Sequence, residues 1–122
     1  MSSALQTAAH VFMVRPACFG SNVQTADSNA FQQICVSDAD VRRSVLREFD
    51  AMVAALSAAA IHCLVFDDLP DPAKPDAVFP NNWVTTHASG AVRLYPLEAS
   101  NRRPERRRDI VDALIHEYGF YV

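Results

Sequence analysis

The chain has 122 residues, half of them hydrophobic, which is enough for one domain with a modest core and leaves no room for a second independent unit. A net charge of -3 and a pI near 5.7 argue against a general attraction to nucleic acid or to an anionic membrane surface, since both rest on excess Lys and Arg. Arginine clusters locally all the same: Arg102, Arg103, Arg106, Arg107 and Arg108 fall within seven positions.

Cys18, Cys35 and Cys63 are odd in number and show neither CxxC nor Cys/His spacing, so no metal site and no cofactor is expected. No Lys or Arg precedes the apolar run Val11 to Val14, which lacks the basic start of a secretory signal. No segment approaches the length of a membrane span. The expected location is the cytoplasm.

Residues 1–9 read as a flexible start, and Val11 to Val14 as a buried strand stopped by Arg15-Pro16. Ala17 to Gln33 is polar, with Gly20, Asn22, Asp27, Ser28 and Asn29, and reads as a long loop. Ser37-Asp38-Ala39-Asp40 has the pattern of a helix N-cap, after which Val41, Val45, Phe49, Met52, Val53, Leu56 and Ala60 recur at helical steps. Ile61 to Phe66 predicts a central strand covered on both faces. Pro70, Pro72 and Pro75, interleaved with Asp67, Asp68, Asp71 and Asp76, predict a loop.

Ala77 to His87 and Ala91 to Tyr95 flank Ala88-Ser89-Gly90 and predict a hairpin. Pro104 suits the first turn of a second helix with Ile110, Val111, Leu114, Ile115 and Tyr118 on its apolar side and Gly119 closing it. The final Phe120-Tyr121-Val122 resembles the start of a further strand, either cut inside the element or a short edge strand. The order strand, helix, strand, hairpin, helix, nascent strand predicts a mixed α/β fold.

Phe79-Pro80-Asn81-Asn82-Trp83 is the chemical anomaly. Two amides within a strand-like segment cost free energy unless their hydrogen bonds are met. They mark either a bulged edge strand or a strand end that opens on a small planar ligand.

The string Pro75 to Trp83, then His87, Gly90, Leu94-Tyr95-Pro96 and Asn101-Arg102-Arg103-Pro104-Glu105-Arg106-Arg107, resembles the amidinotransferase and dimethylargininase-like branch of the pentein superfamily. The resemblance is greatest to citrulline-utilisation hydrolases. Met13 to Pro16, Phe19, Asn22, Thr25-Ala26 and Asn29 to Gln32 fit the same group, so the resemblance runs from about Val11 to the last residue.

The resemblance implies a five-bladed α/β propeller of ββαβ repeats, of which residues 1–122 would supply about two as the N-terminal portion of a single domain. It implies attack by a cysteine on the central carbon of a guanidino or ureido group, a covalent adduct, and a histidine as acid and base. Those catalytic groups lie late in the family's sequence, so none is expected in this chain and the chain alone is expected to be inactive. Amidinotransfer and a noncatalytic binding or assembly module are the alternatives. Open sheet edges would favour self-association.

For substrate binding the expected residues are Asp76, Phe79, Asn81, Asn82, Arg102 and Arg103. Related guanidino enzymes place an aspartate at the end of a Phe-x-x-Asp string, where this sequence has Asn82. An amide suits an uncharged ureido group such as that of citrulline better than a cation. Phe79 would be a flat apolar wall or a core residue. Among the loop acids one would bind the substrate amino group, or all are solvated. Arg102 and Arg103 would clamp a substrate carboxylate or join an ion-pair network with Glu105 and Asp109. Cys35 and Cys63 read as packing residues, Cys18 as a loop cysteine, and His10, His62, His87 and His116 as ordinary histidines.

Overall fold

A computed structural model describes residues 7–20 and 39–122. The expected loop positions from Asn22 to Gln33, Cys35 and the Ser37-Asp38 cap lie outside these residues. Within them the fold is α/β, built on two small sheets.

Strand β1 (His10–Arg15) and strand β2 (His62–Asp67) pair in parallel, His10 opposite His62 through Arg15 opposite Asp67. Helix α1 (Ala39–Ala58) makes the crossover, as parallel neighbours require. Arg15 reaches from the end of β1 to Asp50 of α1, donating from Nε and Nη2 at 2.9 and 3.0 Å. Helix α1 buries little beyond Phe49 and leaves Met52 more than half exposed. It closes with Ala60 at φ 63° and the Ile61 N–H donating to Leu56 O at 3.0 Å, a left-handed end that glycine usually supplies.

Among the described residues β2 lies at the edge of a two-stranded sheet. It pairs there with β1 alone, and Val65 is 40% exposed. Only one face of β2 is covered, so Val65 points outward while Phe66 packs on the core.

The segment expected to open the hairpin is not a strand before Val84. Turn bonds follow one another instead: Ala77 to Lys74 O, Phe79 to Asp76 O, Asn82 to Phe79 O, and Trp83 to Pro80 O, each between 3.0 and 3.2 Å. They wind Pro80–Asn82 into a 3-10 turn. Proline pre-sets the φ such a turn needs. The hairpin is then only β3 (Val84–Thr86) and antiparallel β4 (Val92–Leu94). Its turn is closed by Gly90 at φ 91°, a conformation that favours glycine.

A second 3-10 helix (Ser100–Glu105) carries Pro104 inside it, and α2 (Arg108–His116) begins four residues after that proline. Pro104 therefore does not start α2 as expected. Helix α2 buries Ile110, Val111 and Leu114. Gly119, at φ 75°, ends it by donating to Ile115 O at 3.2 Å. Tyr121 then bridges in parallel to Ala91, beside β4. The core is Val14, Ala77, Trp83, Val84, Val92, Leu97, Ile110, Val111 and Leu114, with Phe12 and Phe66 packed against it. Trp83, 1% exposed, anchors the end of the 3-10 turn, and its carbonyl oxygen accepts from Tyr95 N–H at 2.8 Å.

Candidate functional site

The 3-10 turn and the 3-10 helix meet at Arg102. Its Nε and Nη2 donate to the two carboxylate oxygens of Glu105 at 2.9 and 2.8 Å. Nη1 donates to Asn82 Oδ1 at 3.0 Å. Nε also lies 3.6 Å from Asp76 Oδ2. Three side chains are thus held around one guanidinium: Asp76 before the turn, Asn82 at its end, and Glu105 one 3-10 turn after Arg102. The i, i+3 spacing is what a 3-10 helix eclipses, so Arg102 and Glu105 stack on one face.

Charge in this cluster is withdrawn from water. Glu105 is 3% exposed and Asp76 7%. Burial pushes the Glu105 carboxyl above the usual carboxylate range, Arg102 opposes that rise, and Asp76 and Asp68 add to it. The Arg102 guanidinium is raised in turn, mainly by its bond to Glu105.

Asn82 and Asn81 are exposed, and Phe79 is 45% exposed on the same turn. Phe79 is not a core residue. The burial that a phenylalanine would normally take falls to Trp83, four positions on. Arg103 goes elsewhere: it lines an open cleft of about 590 Å³ together with Trp83, Arg106, Arg107 and Ile115. The structure therefore brings Asp76, Asn82 and Arg102 together, leaves Phe79 and Asn81 exposed on the adjoining turn, and places Arg103 in the lining of that cleft.

The loop acids divide. Asp67 and Asp71 are exposed, while Asp68 and Asp76 are buried. Asp68 faces Lys74, which sequence reasoning passed over and which is 3% exposed. The signal for Lys74 was faint, a lone lysine in a proline-rich acidic loop. Glu105 was legible as an ion-pair partner but not as part of the site. Its signal was the Arg-x-x-Glu spacing.

Arg107 also pairs locally, with Asp109 at 3.0 and 2.6 Å, and donates to Asp67 O at 2.6 Å, tying β2 to the start of α2. Cys18 and Cys63 are partly buried free thiols whose Sγ atoms lie near Pro70 O and Ile61 O, at 3.6 and 3.8 Å. Among the described residues, no group of three His, Cys, Asp or Glu could hold a metal ion, and no helix is long and apolar enough to cross a membrane.

An exposed amide and ring thus lie on a turn backed by a buried carboxylate–guanidinium network. Residues 15–121 match the model of the family described as N,N dimethylarginine dimethylhydrolase, eukaryotic. The chain belongs to that family, within the dimethylargininase-like branch of the pentein superfamily. The family's name denotes cleavage of a carbon–nitrogen bond in a methylated guanidino group. No curated protein and no solved structure matches the chain.

Proposed function

We propose that this chain supplies substrate-recognition elements of a C–N hydrolase acting on a guanidino or ureido amino acid, citrulline-like in its side chain. The observation that carries the reading is the convergence of Asp76 and Asn82 on Arg102 beside the exposed Phe79, inside a segment matched to a dimethylarginine hydrolase family. In this reading Phe79 is the flat wall and Asn82 contacts the planar end of the substrate. Asp76 and Arg102 stand behind Asn82, and Asn81 flanks it. Because the fork of Arg102 is taken by Glu105, the substrate carboxylate falls to Arg103 or to water.

Hydrolysis through a cysteine adduct is the chemistry the family membership favours. The order hairpin, helix and parallel return at Tyr121 supports reading residues 84–121 as one ββαβ unit of a propeller. Its open edges support self-association, and the cytoplasm is the compartment proposed.

Calorimetric titration of the chain with citrulline and with N,N-dimethylarginine tests the reading. At least one binds, and Asn82→Ala weakens it by about tenfold, near 1.4 kcal/mol. Absence of binding by both, or an Asn82→Ala variant that binds as well as the parent, overturns it. No ammonia or ornithine is expected from citrulline with the isolated chain.

A further inference from the structure

We propose that the acidic, proline-rich loop around Leu69 seats in the arginine-lined cleft of a second copy of this chain, giving a two-fold dimer with two equal contacts. The inference goes beyond the substrate reading and uses surfaces other than the turn at Asn82.

The cleft carries unmatched positive charge. Five arginines crowd residues 102–108, and three of them face a carboxylate: Arg102 pairs with Glu105, Arg107 with Asp109, and Arg108 lies 3.7 Å from Asp112. The guanidinium groups of Arg103 and Arg106 pair with no carboxylate among the described residues. Both residues are exposed, and both line the open cleft of about 590 Å³ whose apolar wall includes Leu94, Val111 and Ile115. An apolar wall rimmed by unmatched cations is complementary to an apolar group flanked by acids.

The chain itself carries such a group. Leu69 is 58% exposed, with exposed Asp67 and Asp71 two positions to either side. The Asp71 carboxylate pairs with no group among the described residues. Lys74 Nζ donates to the Leu69 and Pro72 carbonyl oxygens at 2.9 and 2.8 Å, and Pro70 and Pro72 restrict the backbone between them. A loop already fixed in one shape loses little freedom on docking. A scattered exposed leucine needs no partner, but this one combines a fixed backbone, flanking acids and a cleft of opposite sign on the same molecule.

Arg107 sets the symmetry. It lines the cleft, and its Nη1 donates to Asp67 O at 2.6 Å, so the loop begins at the rim of the cleft. Leu69 does not fill the cleft of its own chain, since its side chain is exposed and takes no part in the lining. With knob and hole side by side, a two-fold axis next to Arg107 brings the Leu69 of each copy to the cleft of the other. Both contacts then close in one dimer, whereas a single head-to-tail contact would propagate as an open chain. The whole-chain charge of -3 makes copies repel at long range, so the local pairing of acids with Arg106 sets their orientation.

Sedimentation velocity of the full chain over a concentration series reads the dimer. Wild type is expected to dimerise, and more weakly as salt is raised. Arg106→Glu and Asp71→Arg are each expected to weaken dimerisation by about tenfold. An equal mixture of the two variants recovers it, because loop and cleft again carry opposite signs at both contacts, and so does one chain carrying both changes. Leu69→Ser weakens the dimer at low and high salt alike. All three positions are exposed, so folding is not at stake. Arg103 stays unchanged in these variants, since the proposed function offers it a substrate carboxylate. A wild type that is monomeric throughout overturns the inference and leaves the cleft to a different partner. A dimer indifferent to both reversals also overturns it and moves self-association to the open sheet edges. So does a mixture of the two variants that stays monomeric. None of these results touches the substrate reading, which the binding of citrulline and N,N-dimethylarginine decides.

Discussion

Lys74 Nζ lies 3.3 Å from Asp68 Oδ1, and the two side chains are 3% and 0% exposed. The same ammonium donates to Leu69 O and Pro72 O at 2.9 and 2.8 Å, so one lysine folds the proline-rich loop around itself and sets the position from which Asp76 enters the site. Neither oxygen of Asp68 has a hydrogen-bond partner among the described residues. Lys74→Met leaves that carboxylate buried and uncompensated, and the expected loss is about 3–5 kcal/mol. Adding Asp68→Asn recovers part of it. Urea denaturation reads both, and a loss below about 1 kcal/mol for Lys74→Met would remove the pair from any structural role.

Ala60 ends α1 at φ 63°. A Cβ at this angle crowds the following carbonyl and costs about 1–2 kcal/mol, a penalty glycine does not carry. Ala60→Gly should therefore stabilise the protein by about 0.5–1 kcal/mol even after the greater freedom of glycine in the unfolded chain is counted. A lower thermal midpoint for the variant would contradict the assignment of this cap.

Trp83 and Phe79 should respond oppositely to truncation. Trp83 is 1% exposed and central to the core, so Trp83→Ala should cost about 3–5 kcal/mol. Phe79→Ala, at a ring 45% exposed, should change stability by less than about 1 kcal/mol while weakening citrulline binding. Equal destabilisation by the two variants in chemical denaturation would return Phe79 to the core.

Glu105 gives stability a particular pH dependence. Burial holds its folded pKa above the usual carboxylate range, so the native state binds this proton more tightly than the unfolded chain does. The contribution is complete below the unfolded value of about 4.3 and is lost as pH rises through the folded value. Asp109, held low chiefly by its bonds to Arg107, runs in the opposite sense. Asp109 is common to both proteins when the wild type is compared with Glu105→Gln. The stability of wild type relative to Glu105→Gln should fall as pH rises above about 4. A difference that stays constant across that range would show that Glu105 titrates alike in both states.

The two helices were legible because their apolar residues recur at helical steps, and Gly119 marked its stop for the reason it is there, a positive φ. What sequence pattern misjudged was Phe79 to Trp83. Its residues favour strands singly, but Pro80 and two amides allow successive i to i+3 bonds, and those local bonds outweigh β propensity where no neighbouring strand is at hand. Among the described residues β2 also lacks the second neighbour expected of a central strand, because an apolar run reports burial but not the number of partners. Asn82 stood out in the sequence by its departure from Phe-x-x-Asp. Its orientation was not legible there, since that depends on a guanidinium twenty residues on, whose own direction is fixed by a third residue.

The Arg102 fork has a consequence for inheritance. Asparagine and aspartate codons differ at one base, and Arg102 Nη1 can donate to an oxygen of either side chain. A single base change would therefore exchange the amide for a carboxylate with Glu105 and Arg102 unaltered and with Arg102 Nη1 still matched. The buried pair of Arg102 and Glu105 is the mount, and position 82 is what it holds.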